Sequence, residues 1–425
     1  MHAAVTRSWA AFPAGSNGEF NLPQDLARVV RCGRGSRIWT SDGREMLDFS
    51  MGWGSALPGH ARREIAEAVT EQVRQGANFA YVTEQSLALA EEIIRLSPAC
   101  EAVRFCASGT EATMYCLRLA RAATRRTKVL KFEGAYHGAH DIGVASLFPP
   151  QPPDFPQAAP FSAGVDSFVV EHTLVAPFND VDFATTLIER CGDELAGVIV
   201  EPLQRCLPPA PEFLPTLREA TRRCGALLVF DEVVTGFRLA YGGAQQYYSV
   251  TPDLVAYGKA LGGGLPIGAF GGRRDIMDLV REDRMGRSEY VWTASTSGGN
   301  PVSTAAANAA LALYRMPGAY ERLHALGQYL RNGLSQTLLK YRITGQILGD
   351  GPLAQVAFTP TEARDYRSSR HRDAAFARRV MLELFARDVF INPMSTKFYL
   401  SLAHDEQQCD AFCDRFGDAL QAALG

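Results

Sequence analysis

The stretch that decides the fold is Ala226-Leu227-Leu228-Val229-Phe230-Asp231, a short apolar run that ends in a carboxylate. Such a run is typical of a strand that is buried in a parallel sheet. Two similar runs flank it along the chain: residues 197–200 lead to Glu201, and residues 254–257 lead to Lys259. Each is separated from the central run by about 30 residues, the length of one strand–helix–strand unit. The sequence therefore predicts three neighbouring parallel strands.

The polar side chains that follow these strands should meet at one edge of the sheet. Parallel strands end on the same side, and ligands of open α/β sheets bind outside those carboxyl ends. Lys259 supplies an amine that can form an imine, and Asp231 supplies a carboxylate that can hold a protonated pyridine nitrogen. These are the groups that pyridoxal phosphate chemistry requires.

Each of these residues also has an ordinary structural interpretation. An aspartate at a strand–helix junction is often a helix N-cap, and most lysines are solvated surface charges. The turn Ser108-Gly109-Thr110 opens an amphipathic helix, so its amides and hydroxyls suit a phosphate group as well as a plain cap. Three glycines at 262–264 allow a ligand to approach the backbone after Lys259. Together these features favour a cofactor site.

Two further residues belong to this predicted edge. Tyr136 and His137 follow the apolar run 128–132, where an aromatic ring can stack on a cofactor. His137 and His140 are three residues apart, but a zinc site needs a third protein ligand and none is evident. We therefore expect no metal site.

The region from about residue 100 to 300 alternates predicted strands with helices, which indicates an α/β domain with a mainly parallel central sheet covered by helices. The predicted strands are 102–106, 128–132, 197–200, 226–230, 254–257 and 268–270, and a helix is predicted at 213–224. Both chain ends are predicted to form a smaller α+β domain. The predicted divisions are 1–55, 56–310 and 311–425.

The predicted smaller domain has its own local signals. Asp42-Gly43 between two short apolar runs predicts a hairpin over residues 37–50. The remaining predictions outside the sheet are helices at 62–74 and 84–96, a helical apolar face from Phe376 to Phe385, short strands at 390–392 and 398–402, and a final helix at 405–424.

Residues 148–162 hold six prolines and cannot form a regular helix or sheet. A loop of this length inside a domain is often functional, and a rigid surface crossing is an equally good interpretation. Whether this segment gates the site is left open.

The composition is that of an ordinary globular protein: 425 residues, 47% hydrophobic and 21% charged, with a net charge of −3. This balance gives no reason to expect nucleic acid or an anionic membrane as a partner. Nine cysteines without regular spacing argue against a disulfide framework. No run approaches the roughly 20 apolar residues of a membrane span, and the first residues lack the pattern of a signal peptide. We expect a cytoplasmic protein.

Over nearly its whole length the chain resembles the class III (fold-type I) pyridoxal-phosphate aminotransferases. The segments that carry the resemblance are 107–112, 131–138, 200–202, 230–233, 258–259 and 296–301. Within that class the chain is most similar to the glutamate-1-semialdehyde 2,1-aminomutase branch, notably at Trp53-Gly54 ahead of Gly59-His60 and from Phe105 to Ala122.

The resemblance implies a role for each matching residue. Lys259 would form the imine with pyridoxal phosphate and move the proton between substrate and cofactor. The other residues it assigns to the cofactor are Ser108, Gly109 and Thr110 for the phosphate, Tyr136 and Val233 for the ring faces, and Asp231 for the ring nitrogen with Glu201 nearby in support. His137, next to Tyr136, is also counted among the cofactor-binding residues. It also implies a homodimer with active sites at the interface, in which Thr296 of one subunit joins the phosphate site of the other.

At three positions this chain has a different residue from the families that it resembles. Where the aminomutases carry an arginine that grips the substrate carboxylate, this chain has Asn21. After Glu201, where relatives often have a polar residue facing the site, it has Arg205 and Cys206. Cys206 cannot form the carboxylate–arginine switch of some members, whereas Arg205 can bind a carboxylate through two donors or be a plain solvated charge. Trp53 and Arg205 are the predicted substrate residues.

The function predicted first is an aminotransferase that moves an amino group from an amine or amino acid to a carbonyl acceptor. The alternatives are an aminomutase-like isomerase, which moves the amine within one substrate, and a lyase or epimerase on the same scaffold. All would use the same cofactor residues, and the sequence does not identify the substrate.

Overall fold

The computed structural model describes residues 2–425. Its strands are β1 (Val30–Arg34), β2 (Arg37–Thr40), β3 (Glu45–Asp48), β4 (Ala102–Cys106), β5 (Lys128–Phe132), β6 (Thr173–Ala176), β7 (Leu195–Val200), β8 (Leu227–Glu232), β9 (Leu254–Tyr257), β10 (Gly268–Gly272), β11 (Gln346–Leu348), β12 (Leu353–Ala357), β13 (Val389–Phe390) and β14 (Lys397–Tyr399).

Its α-helices are α1 (Ala3–Ala11), α2 (Arg63–Gln75), α3 (Glu84–Leu96), α4 (Gly109–Thr124), α5 (Asp141–Val144), α6 (Ser167–Glu171), α7 (Val181–Arg190), α8 (Phe213–Cys224), α9 (Gly243–Tyr247), α10 (Arg274–Met277), α11 (Pro301–Tyr314), α12 (Ala319–Lys340), α13 (Tyr366–Ser369), α14 (Ala374–Ala386) and α15 (Glu406–Leu424). None of the helices in residues 2–425 combines the length and the apolar character that crossing a bilayer requires.

The chain divides into two compact units. The large unit comprises Glu64–Met316 together with Arg364–Arg367. The small unit comprises the chain up to Arg63, Pro317–Ala363 and Ser368–Gly425. The predicted domain divisions 1–55, 56–310 and 311–425 stay a prediction.

The large unit contains a seven-stranded sheet in the order β4-β10-β9-β8-β7-β5-β6. β10 is antiparallel to both its neighbours, and the other pairs are parallel. The mainly parallel sheet is therefore confirmed. Because β4 and β9 both oppose β10, the carboxyl ends of β4, β5, β6, β7, β8 and β9 lie at one edge.

The six predicted strands are all present, with shifted ends in three of them. β7 begins at Leu195, β8 runs over Leu227–Glu232 and therefore includes Asp231, and β10 extends to Gly272. Every residue of β7 and β8 is buried, as expected for strands covered on both faces. β6 was missed because it is a four-residue run next to the irregular proline-rich region.

Helix α4 covers one face of the sheet at the predicted cofactor edge. Its buried side chains, among them Cys116, Leu117 and Leu119, pack in one apolar cluster with Val229 and Phe270 of the strands. Helix α8 agrees with the predicted range, and Gly225 ends it in the left-handed conformation with φ 71°. The chain then enters β8 directly, which fixes the position of Asp231.

The small unit contains a sheet of order β1-β2-β3-β13 and an antiparallel sheet of order β11-β12-β14. The predicted hairpin is confirmed as β2–β3, and Gly43 adopts φ 86° in its turn. β13, which overlaps the strand predicted at 390–392, pairs parallel with β3. Helices α12, α14 and α15 supply the apolar core, and α15 begins one residue after its N-cap Asp405.

Two adjacent leucines of α12 allow a matched test of this core. Leu338 is 4% exposed and Leu339 is 70% exposed. We expect Leu338→Ala to lower the free energy of unfolding by about 2–5 kcal/mol, because it leaves a cavity in the core. Leu339→Ala should change it by less than about 0.5 kcal/mol. Denaturant midpoints of the two variants check this, and equal midpoints would contradict the assigned core.

Candidate active site

The carboxyl edge of the large sheet gathers most of the predicted site residues. Ser108 follows β4, Tyr136 and His137 follow β5, Glu201 follows β7, Asp231 lies at the end of β8, and Lys259 follows β9. In the register of β8 and β9, Asp231 is paired with Ala256, three residues before Lys259. The parallel sheet thus brings the carboxylate and the amine to neighbouring strand ends.

Asp231 is buried and is oriented by two hydrogen-bond partners. Its Oδ2 lies 2.8 Å from His137 Nδ1, and its Oδ1 accepts from the backbone N–H of Val233 at 3.0 Å. The helix N-cap interpretation is wrong, because the N–H that Asp231 Oδ1 accepts belongs to the tight turn after β8 and not to the first turn of a helix. A carboxylate has about four lone-pair sites, so this arrangement leaves acceptor capacity for a further donor. Within residues 2–425, His137 Nε2 has no hydrogen-bond partner.

The neighbouring Glu232 has different surroundings, since successive side chains of a strand point to opposite faces. Its carboxylate accepts from Thr235 Oγ1 at 3.0 Å and from the side chain and backbone N–H of Gln245 at 3.1 and 3.2 Å. Burial raises the pKa of Glu232, and these donors oppose that shift. Glu232 therefore anchors the start of α9, and Asp231 is the carboxylate that can serve a ligand.

The turn Ser108-Gly109-Thr110 forms the start of α4. Ser108 is its N-cap and accepts from the Glu111 N–H at 3.2 Å, so the capping interpretation is confirmed for Ser108. The first amides of a helix lack partners within it, and they attract anions. The 16 residues of α4 give the helix a full dipole behind those amides.

Glycines allow three segments to touch beside this turn. A Cβ atom at Gly109 would lie 2.8 Å from Cγ1 of Val233, and one at Gly258 would lie 3.5 Å from the Gly109 nitrogen. The turn Ser108-Gly109-Thr110 is therefore in contact with Val233 and with Gly258, the residue before Lys259. Any larger side chain at Gly109 would fill the space beside Val233.

Lys259 is a non-glycine residue with a left-handed backbone, φ 42°. Such a conformation costs about 1–3 kcal/mol and is found mainly where a function requires it. The next residue is fixed, because Tyr314 donates its hydroxyl to the Ala260 carbonyl at 2.7 Å in the interior. Lys259 itself is half-buried at the sheet edge, so it is not the ordinary surface lysine of the alternative interpretation.

Glu201 binds backbone groups of two other predicted residues. Its Oε1 accepts from the Tyr136 N–H at 2.8 Å, and its Oε2 accepts from the Arg205 N–H at 3.0 Å. The Arg205 guanidinium lies 5.8 Å from the centre of the Phe148 ring. Glu201 thus links the segment that carries Tyr136 to the turn that carries Arg205.

The proline-rich segment is irregular, as predicted, and is tied to the large unit by Arg367. Its guanidinium forms an ion pair with the buried Glu133 at 2.9 Å, donates to the Pro153 carbonyl at 2.6 Å and stacks 3.7 Å from the Phe155 ring. Tyr366 adds a hydrogen bond to the Pro149 carbonyl at 3.2 Å. This segment therefore forms a fixed wall next to Arg205.

For two predicted residues, Thr296 and Trp53, the described part of the chain shows no contact with this group. Thr296 is exposed in the large unit, and its carbonyl accepts from Asn78 Nδ2 at 2.9 Å. Trp53 belongs to the small unit, where it contacts Phe20 edge-on with ring centres 6.2 Å apart and lines a cavity of about 740 Å³. In residues 2–425 no cluster of metal-ligating side chains is present.

Sequence reasoning missed Lys131 and the Arg367–Glu133 ion pair. Lys131 had a signal, since it is a charged residue inside an apolar run that was predicted as a strand. Arg367 had none, because 234 residues separate it from Glu133.

Comparison with known proteins places this fold and site in one family. Residues 21–420 match the family model described as aminotransferase class-III. A glutamate-1-semialdehyde 2,1-aminomutase of Methanopyrus kandleri is 40% identical, with 99% of this chain and 96% of the relative covered.

The chain belongs to the class-III aminotransferase family.

Solved structures agree with this assignment. An omega-transaminase from Sphaerobacter thermophilus matches with a TM-score of 0.92 and 37% identity, covering 99% of this chain and 97% of the other. A transaminase with pyridoxal phosphate bound matches with a TM-score of 0.89 and 30% identity, covering 99% and 97%. The predicted fold-type I architecture is confirmed, and the protein is a pyridoxal-phosphate-dependent enzyme of this family.

The described residues fit this cofactor. Asp231 is a buried carboxylate with spare acceptor capacity, the start of α4 offers amides to a phosphate, and the glycines at 109 and 258 let these segments lie close together at the strand ends. The contacts of individual residues with the cofactor stay predictions.

Lys259→Ala removes the proposed covalent attachment. We expect pyridoxal phosphate to bind through the α4 turn but to form no borohydride-reducible link. After reduction and digestion, mass spectrometry should find the label on the Lys259 peptide of the wild type and of the control variant. The Lys259→Ala variant should carry no label. Lys128→Ala, whose ammonium pairs with Glu194 at 2.9 Å, is the matched control. A label on any other lysine, or full turnover by the Lys259 variant, would contradict the assignment.

Proposed function

We propose that this enzyme moves an amino group between adjacent carbons of one small carboxylate substrate, as an aminomutase does. The observation that carries the proposal is the 40% identity to the Methanopyrus aminomutase over 99% of the chain. The sequence favoured transfer between two molecules, and the curated relatives support migration within one molecule better. Both reactions consist of the same two half-reactions and differ in whether the substrate leaves between them.

The residues at the sheet edge suit these half-reactions. Bound pyridoxal phosphate supplies a protonated ring that withdraws electrons from the substrate bond that breaks. Asp231, oriented by His137, keeps the ring nitrogen protonated. Lys259 anchors the cofactor and afterwards moves a proton on one face of the substrate. The start of α4 would hold the phosphate, and Tyr136 and Val233 would pack against the ring.

Transfer between two molecules is the second candidate function. Two observations favour it: the whole-chain likeness to the Sphaerobacter omega-transaminase, and Asn21 in place of the arginine expected in aminomutases. Elimination or epimerisation has no comparable support.

One experiment separates the two candidates. The enzyme is loaded with pyridoxamine phosphate and given ¹⁵N-labelled glutamate 1-semialdehyde without a second substrate. Migration predicts many turnovers to an isomer of equal mass that keeps nitrogen, detected by mass spectrometry and NMR. A single turnover, with steady turnover only when an amine donor and a keto acid are both present, would reject migration and support the second candidate. Released ammonia would reject both.

Arg205 is proposed to bind the substrate carboxylate. It is half-buried beside Phe148 and follows Glu201 at the sheet edge. We expect Arg205→Ala to raise KM for carboxylate substrates about 10- to 100-fold, because a charged hydrogen bond is lost, with kcat changed less. Arg205→Lys should restore part of the affinity. Arg222→Ala, an exposed arginine paired with Glu219, is the control. An equal loss with an uncharged amine substrate would contradict this role.

We also propose a homodimer in a reducing compartment such as the cytoplasm. Phe79, Tyr81 and Val82 expose large apolar side chains, and Asn78 of the same segment binds the Thr296 loop. Exposed apolar groups of this kind mark interaction surfaces, and a partner there would bring Thr296 to an interface. The nine cysteines of residues 2–425 are all free thiols, which suits a reducing compartment.

A further inference from the structure

Lys131 is a completely buried lysine whose ammonium lies among backbone carbonyls. It belongs to β5 and is 0% exposed. Its Nζ donates to the carbonyl oxygens of Ala135, Ile142, Gly143 and Ala145 at 3.1, 3.2, 3.0 and 2.6 Å. Buried lysines are rare unless they are paired, and here these partners come from a single segment, residues 135–145.

The charge explains how four carbonyl groups can point at one atom. Carbonyl dipoles that converge repel one another unless a cation lies between them, and an ammonium has three protons and no acceptor. Burial lowers the pKa of Lys131 to about 7, and attraction to Glu201 and Asp231 opposes that shift. In its protonated form the side chain, held by four carbonyl oxygens, acts on this segment as a bound cation acts on a loop of carbonyl ligands.

The segment that Lys131 gathers carries several groups of the cofactor edge. The N–H of Tyr136 binds Glu201, and His137 binds Asp231. The Ala139 N–H donates to Thr110 Oγ1 at 3.2 Å, and a Cβ at Gly138 would lie 2.7 Å from the Thr110 Cα. One segment therefore contacts Thr110 of the predicted phosphate turn, Glu201 and the Asp231 carboxylate.

We propose that Lys131 is a positioning residue of the cofactor site: its ammonium gathers the carbonyls of residues 135–145 and so fixes Tyr136 against the ring and His137 against Asp231. The proposal rests on the proposed roles of Tyr136 and His137. It assigns a function to a lysine that touches neither cofactor nor substrate. A lysine that only filled space in the strand would be replaceable by methionine without effect on those contacts.

Three variants separate the charge, the donors and the shape of this side chain. Lys131→Met keeps the shape and removes both charge and donors, Lys131→Gln keeps two donors without charge, and Lys131→Arg keeps charge and donors. Lys128→Met is the matched control, since Lys128 lies on the same strand but its ammonium pairs with Glu194.

The first measurement is amide hydrogen exchange in the full-length chain, with cofactor and after its removal. In Lys131→Met we expect exchange of residues 135–145 to rise about tenfold or more, with β7 and β8 unchanged. Lys128→Met should match the wild type, and Lys131→Gln should be intermediate. Wild-type exchange of residues 135–145 in Lys131→Met would overturn the proposal.

The second measurement is the affinity for pyridoxal phosphate and the ionisation of the bound chromophore. Both depend on where Tyr136 and His137 lie, and not only on the stability of the segment. Lys131→Met should weaken pyridoxal phosphate binding about tenfold or more and shift the pH at which the bound chromophore ionises, because His137 no longer fixes Asp231. Lys131→Arg should restore part of both. Raised exchange with unchanged affinity and chromophore would overturn the positioning role without touching the proposed function, which the turnover of labelled glutamate 1-semialdehyde tests separately.

A wild-type measurement keeps the proposal testable if the variants do not fold. The N–H groups of His137 and Ala145 bond within the segment, to the carbonyls of Gly143 and Asp141. In the cofactor-free wild type these amides should exchange nearly as slowly as those of β5. Exchange as fast as that of residues 148–162 would overturn the proposal.

Discussion

The parallel direction of the central strands is the constraint on which the site depends. Because β5, β7, β8 and β9 all run the same way, the residues that leave their carboxyl ends share one edge. The backbone pairing of the strands, and not one side-chain hydrogen bond, places Lys259 beside Asp231. Asp231 is paired with Ala256, and Lys259 follows three residues later, after the end of the neighbouring strand. β10 reverses direction and therefore contributes its amino end to that edge, where Gly268 pairs with Cys106 at the end of β4.

Burial of the carboxylate sets the second requirement. An isolated charge in an apolar interior is costly, so Asp231 needs donors before any ligand arrives. His137 and the Val233 amide supply them, and Glu201 in turn holds the backbone of Tyr136, next to His137. The site is therefore built from groups that orient one another across three strand ends, with Lys131 beneath them.

Much of this architecture follows from local sequence patterns. Apolar runs predicted the six strands, and Asp-Gly predicted the hairpin, because burial on both faces and turn geometry each leave a strong local signal. β6 escaped because its short run follows the irregular proline-rich region and not a clear helical pattern. Asp231 was expected after its strand and lies within it, since backbone pairing continues past the apolar residues. The Arg367–Glu133 pair depends on the tertiary fold alone. The spacing of the apolar runs predicted that β7, β8 and β9 are neighbours, and it carries no information on the order of the other strands.

The four residues Arg364–Arg367 belong to the large unit although the chain on either side of them belongs to the small one. The large unit is thus discontinuous along the gene product, and a fragment ending near residue 316 would lack part of its own structure. In such a fragment Glu133 would lose its guanidinium partner, and the carbonyls of Pro149 and Pro153 would lose their donors. Truncation at the apparent boundary would therefore loosen the proline-rich wall, so recombinant versions of the large unit need the C-terminal part of the chain.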